Sequence, residues 1–172
     1  DRMSRIVEDL LLLAKSEQED FVRYEPVELA DLTTEIFVKS QALGQRDWRL
    51  SAVAEGEASF DPQRVTQAVL NLARNAVEHA PDDATIEMGS SVDRDHVTIW
   101  VHDSGPRIAG ADRERIFERF SRGSMRHRRV DGAGLGLSIV RAVAESHGGS
   151  IELETEGRTG NRSVKVTVDN YI

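Results

Sequence analysis

The stretch from Asp61 to His79 restricts the fold of this chain more than any other segment. Asp61-Pro62 is a helix start: a carboxylate suited to capping, then a proline where its missing N–H does no harm. Val65, Ala68, Val69, Leu72, Ala73, Ala76 and Val77 then recur at helical spacing, so one side of this helix has to be covered. The helix is expected to end at about His79, before Pro81. The period then changes. Thr85 to Val92 and Val97 to His102 alternate, with Asp93-Arg94-Asp95 between them as a hairpin turn.

The remaining segments extend this pattern. Met3, Ile6, Leu10 and Leu13 form a seam on an N-terminal helix ending near Ser16, with Leu11 and Leu12 apolar on further faces. A helix is expected from about Glu28 to Leu43, with Leu29, Leu32 and Ile36 among its apolar positions and Gly44 as its stop. Trp48 to Val53 and Ala58 to Phe60 read as short strands around the turn Glu55-Gly56. A short helix fits Asp112 to Phe120, and another runs from Gly136 to about His147, where Gly148-Gly149 ends it. Ile151 to Thr155 and Val164 to Val168 are the last alternating runs. Three main helices, five or six antiparallel-looking strands and no βαβ spacing predict an α+β fold. It is a two-layer sandwich, a mixed and mainly antiparallel sheet packed on three helices, with an N-terminal helical stub.

Composition narrows the function. A chain of 172 residues can hold one domain with a real core and a short appendage. The longest apolar stretch, Leu10 to Ala14, is far short of the roughly 20 residues of a membrane span, so direct membrane contact and a secretory route are not expected. With no cysteine there are no disulfides or thiolate metal sites. A net charge of −8 argues against nucleic acid as a partner. One strip breaks the acidic trend: Arg119, Arg122, Arg126, Arg128 and Arg129 follow one another without an intervening Asp or Glu. Such a strip is a solvated loop or a site for an anion such as phosphate.

Three short elements carry chemistry. On the helix after Asp61, Gln67, Asn71, Asn75 and Glu78 share a face away from the apolar stripe. The row is a solvated face or a ligand face. Asparagine is a poor residue in mid-helix, which favours the second reading, and amide oxygens are hard ligands suited to magnesium when phosphates supply the charge. Asp103-Ser104-Gly105-Pro106 follows a strand directly. It is an ordinary turn, or a carboxylate placed to accept from an exocyclic amine of a base, with glycine permitting close approach. Gly132-Ala-Gly134-Leu-Gly136-Leu is a plain turn into a helix, or a run of backbone N–H groups facing phosphate. It is neither a P-loop nor a dinucleotide fingerprint, because it lacks G-K-[ST] and has Leu137 in place of the third glycine.

In this order and spacing the elements resemble the histidine kinase branch of the GHKL nucleotide-binding family, whose fold is the Bergerat type. Asn71-Leu-Ala-Arg-Asn75-Ala is similar to its N box and Asp103-Ser-Gly105 to the first half of its G1 box. Ile116-Phe117-Glu-Arg-Phe120-Ser-Arg122 resembles the F box, and Gly132 to Leu137 the G2 box. The resemblance covers about residues 24 to 169. It implies that Asn75 coordinates Mg2+ with Asn71 beside it, that Asp103 binds the adenine amino group, and that Gly105 lets the base sit close. Phe120, Gly132, Gly134, Leu135 and Gly136 would line the nucleotide. Residues 121 to 131 would form a lid over ATP, with Arg122 nearest the γ-phosphate. Asn71, Asn75 and Arg122 would be the catalytic set. Three positions depart from the pattern. Glu78 stands where lysine is common, Arg107 replaces the second glycine of the G1 box, and Gly157 to Asn161 differs in spacing from the usual late turn.

The implied function is the ATP-binding catalytic domain of a two-component sensor histidine kinase, acting in the cytoplasm. None of the five histidines has an H-E-x-[RK]-[ST]-P setting, and the chain does not open on Met. It is therefore expected to be a fragment: residues 1–16 the end of a dimerisation helix, 17–23 a linker and 24–172 the catalytic domain. The expected partners are ATP, the dimerisation and phosphotransfer helices of a homodimeric parent, and a response regulator receiver domain. Two alternatives stand beside it. One is a regulatory module that binds nucleotide or docks a partner without catalysis. The other is a gyrase- or MutL-type ATPase, which the amide of Asn71 opposes, because those enzymes place glutamate there as general base.

Overall fold

The computed structural model describes residues 1–104, 135–156 and 161–170. In chain order the elements are α1 (Arg2–Lys15), β1 (Glu25–Glu28), α2 (Leu29–Gln41), β2 (Asp47–Ala52), β3 (Glu57–Phe60), α3 (Pro62–His79), β4 (Thr85–Val92) and β5 (His96–Asp103). They continue with α4 (Gly136–Ser146), β6 (Ser150–Glu156) and β7 (Asn161–Asp169). The expected Asp112–Phe120 helix and the turn at 157–160 lie outside the described residues.

Five strands form the main sheet in the order β2-β4-β5-β7-β6. Its pairings are antiparallel except for β2 with β4, which is parallel. Alternation along each strand decides the layers. Ile86 and Met88 on β4, Val97, Ile99 and Val101 on β5, and Val164, Val166 and Val168 on β7 are all buried on the face that carries the helices. Helix α2 packs against β4, α3 against β5, and α4 against β6 and β7, while α1 lies on α4. The α+β sandwich expected from the sequence is the fold observed.

Two features go beyond what local patterning shows. The strands flanking Glu55-Gly56 do not belong to one sheet: β2 joins the main sheet, whereas β3 pairs antiparallel with β1 as a separate two-stranded ribbon. Chain reversal at Gly56, with φ +97°, sends β3 back towards β1, and the β2–β4 pairing takes β2 the other way. The seam on α1 also splits. Leu12 and Leu13 are buried against the domain, whereas Met3, Val7, Leu10 and Leu11 are exposed.

Helix α3 is the central strut. Asp61 caps it as the sequence predicts, its Oδ1 accepting from the backbone of Gln63 and Arg64 at 3.1 Å each. Its Oδ2 accepts from Arg23 N at 3.0 Å, tying the chain before β1 to the same carboxylate. Val65, Val69 and Leu72 are buried along its stripe, each contributing roughly 1.5–3 kcal/mol by leaving water. At its other end, Arg46 Nη2 donates to the Val77 carbonyl at 3.0 Å, placing a cation where the helix dipole is negative.

Candidate functional site

The stripe that buries α3 also orients its amide face. With Ala68, Leu72 and Ala76 held in the core, Asn71 and Asn75 fall on the flank between α3 and α4. Asn71 is 8% exposed and Asn75 half-buried. Asn71 Nδ2 donates to the Gln67 carbonyl at 3.1 Å, and Oδ1 accepts from Arg74 Nη1 at 3.3 Å. A flipped amide would set a donor against the guanidinium and an acceptor against a carbonyl, so these two neighbours fix which way the group points.

The glycine-rich run meets this face from the other side. Leu135, 2% exposed, is the N-cap residue of α4, and Gly136 is the first residue of the helix. A Cβ placed on Gly136 would come within 3.8 Å of Asn71 Oδ1. The amide oxygen of α3 therefore lies against the first turn of α4. No side chain of the cap residue bonds the N–H groups there, and that turn holds no acid. A positive helix end without an acid in its first turn makes this corner attractive to an anion.

The third element comes from the sheet. Alternation on β5 puts Asp103, its last residue, on the helix-facing side after Val97, Ile99 and Val101. A carboxylate only 2% exposed at the end of an aliphatic stripe is not a solvated turn residue. The structure thus places Asn71, Asn75, Asp103, Leu135 and Gly136 on the helix layer and the strand end facing it. Gly105, Phe120, Arg122, Gly132 and Gly134 lie outside the described residues, as do Arg107 and the rest of the basic strip. Among the described residues no group of three or more His, Cys, Asp or Glu could hold a metal ion.

Residues 60–172 match the family described as Histidine kinase-, DNA gyrase B-, and HSP90-like ATPase. The chain belongs to that family. Its relatives narrow the branch of this ATPase family. The sensor protein IrlS of Burkholderia pseudomallei is 35% identical over 90% of the chain and 34% of its own length. The probable sensor histidine kinase TcrY of Mycobacterium tuberculosis is 32% identical over 99% of the chain and 37% of its own length. The catalytic domain of histidine kinase ThkA superposes with a TM-score of 0.69 at 26% identity, covering 86% of this chain and 97% of that one. The chain spans about a third of the length of the curated relatives it matches. It has the α+β architecture of the ThkA catalytic domain, and its relatives are sensor proteins and sensor histidine kinases.

Sequence reasoning passed over Arg74 inside the N-box-like segment. It lies three residues after Asn71, the helical spacing at which side chains meet, and this spacing was the available signal. His147 shows in the sequence only as the end of a helix. It is instead a fully buried ring joining α4 to α3, because its Nε2 accepts from Asp61 N at 3.1 Å. No helix of the described residues is long and apolar enough to cross a membrane.

Proposed function

We propose that the protein containing this domain transfers the γ-phosphoryl group of ATP to a histidine on a dimerisation helix. The observation that carries the reading is the approach of the Asn71 amide oxygen to Gly136 at the start of α4, where a Cβ added to that glycine would stand 3.8 Å from it, which sets the amide face beside the turn read as phosphate-binding. In this reading Asp103 accepts from the adenine amino group, with Gly105 and Phe120 beside the base. The backbone around Gly132, Gly134, Leu135 and Gly136 cradles the phosphates. Arg122 supplies positive charge at the γ-phosphate. Asn75 holds magnesium, with Asn71 beside it; when bound, the ion neutralises phosphate charge.

The transfer itself asks little covalent help from the protein. An imidazole nitrogen of the acceptor histidine bonds to the γ-phosphorus as the bond to the β,γ-bridging oxygen breaks, and ADP leaves with that electron pair. Positioning and charge neutralisation dominate such a step, and both are what this corner offers. A hydrolase of the gyrase type would need a base at position 71. There the structure has a neutral amide with its oxygen on a guanidinium, which cannot take a proton from water.

The proposal extends to the chain's organisation. Residues 1–16 end a dimerisation helix, 17–23 link it, and 24–172 form the catalytic domain of a homodimeric kinase that passes phosphate to a receiver domain. Incubation with labelled ATP tests this, first with the domain alone and then with the acceptor helix pair of the parent. Label is expected on the helices and not on the domain. Strong self-labelling of the domain, or none on the helices, contradicts the proposal.

A further inference from the structure

We infer that Arg64 is a clasp that fixes residues 21–24 to the start of α3, which confines the joint between α1 and the rest of the domain to residues 17–20. Glu17, Gln18, Glu19 and Asp20 are all exposed, whereas Phe21, the next residue, is 5% exposed. The guanidinium carbon of Arg64 lies 4.1 Å from the centre of the Phe21 ring, and Arg64 Nε donates to the Phe21 carbonyl at 3.3 Å. One side chain thus covers a ring and holds the backbone of the same residue, a double contact that suits the planar, always charged guanidinium. The stretch is tied twice more. Arg23 N donates to Asp61 Oδ2 at 3.0 Å, and the Tyr24 ring meets the His147 ring edge-on at 5.6 Å. Each of these partners stands at the start of α3 or the end of α4, so Phe21 to Tyr24 belong to the body of the domain.

What precedes the clasp is held differently. The buried side chains of α1 are Leu12 and Leu13. Between them and Phe21, Lys15, Gln18 and Asp20 border a cavity of about 440 Å³ that they share with Gln63 and Gln67 of α3. A backbone stretch that buries no apolar side chain is among the first parts of a fold to open. A change in the angle of α1 therefore unseats two leucines and is taken up at residues 17–20. Past the clasp, Asp61 keeps both its cap on α3 and its bond to Arg23, so the helix that carries Asn71 and Asn75 is not tilted with α1. That α1 turns as part of a dimerisation helix rests on the organisation proposed above; the clasp itself does not.

The test is amide hydrogen exchange followed by proton–nitrogen NMR on the whole 172-residue chain without nucleotide, so it succeeds or fails apart from any phosphoryl transfer. In the wild type the Arg23 amide is expected to exchange at least about 10-fold more slowly than those of Glu19 and Asp20, each rate corrected for its neighbours in sequence. Arg64→Gln should speed Arg23 by about 3–30-fold, the range of a cation–π contact with its hydrogen bond, while Val101 in β5 keeps its rate. Arg64→Lys, which keeps the charge and loses the planar fork, should fall between the two. Phe21→Leu keeps an apolar plug without a ring, and in that background Arg64→Gln should have a smaller effect. Wild-type Arg23 exchanging as fast as Glu19 and Asp20 overturns the boundary. An Arg23 rate unmoved by Arg64→Gln, or Val101 sped by the same factor, overturns the clasp.

Discussion

Nε2 of His147 accepts the backbone N–H of Asp61 at 3.1 Å, while Nδ1 of the same ring donates to the Val143 carbonyl at 2.8 Å. An N–H can only donate and a carbonyl can only accept, so the ring is neutral, with its proton on Nδ1. The ring is fully buried, with Tyr24 packed on its edge at 5.6 Å between centroids. It joins the end of α4 to the residue that caps α3.

Acid should loosen this joint. Burial holds the His147 ring below the usual histidine range, against smaller opposing effects of Val143, Asp61 and Asp169. The unfolded chain therefore binds a proton at 6.5 that the folded ring refuses, so stability is full above that pH and falls as pH drops below it, until the folded ring itself protonates. Denaturant unfolding at about pH 7 and about pH 5 should show the wild type losing more stability than His147→Gln over the same interval. Equal losses in the two proteins would remove His147 from the account.

Gly149 should accept no side chain. A Cβ there would lie 1.7 Å from the Thr167 carbonyl oxygen and 2.6 Å from its carbon, both backbone atoms of β7. The neighbouring Gly148 has φ +72°, the left-handed region in which an L side chain is strained. Gly149→Ala is expected to cost at least about 3 kcal/mol, because either α4 or the β6–β7 pair must shift. A midpoint within experimental error of the wild type in urea would contradict this.

Ser90 anchors α2 to the sheet. Thr33 Oγ1 donates its only proton to the Leu29 carbonyl at 2.7 Å, so the 2.7 Å contact between Thr33 and Ser90 has the serine as donor. Ser90 Oγ in turn accepts from Ala54 N at 2.9 Å. Ser90→Ala leaves the buried Ala54 N–H without its acceptor and should cost about 1–3 kcal/mol. Hydrogen exchange at Ala54 is the direct check: its protection should fall more than that of Met88 on the same strand as Ser90.

Much of this fold is legible because its signals are local. Asp61-Pro62 marks the start of α3, and the alternation in 85–92 and 97–102 marks β4 and β5, since each depends on neighbours in sequence. The pairing of β2 escapes such reading. Its strand character shows, but its parallel match of Trp48 with Ile86 is made across α3, and no local pattern encodes a partner that distant. The same division runs through the site. Asn71, Asn75 and Asp103 stand out as polar residues where an apolar or solvated residue would be expected. Arg74 and His147 do not stand out. Each acts through one hydrogen bond whose partner is chosen by packing: Asn71 under Arg74, and Asp61 beside a ring 86 residues away.

The most direct test of the account is calorimetric titration of the chain with a nonhydrolysable ATP analogue, with and without magnesium, on wild type and Asn75→Ala. The account predicts one site in the wild type, tighter when magnesium is present, and a loss of about tenfold or more in Asn75→Ala that removes most of the magnesium dependence. A wild type that binds no nucleotide, or an Asn75→Ala protein that keeps both affinity and magnesium dependence, would contradict it.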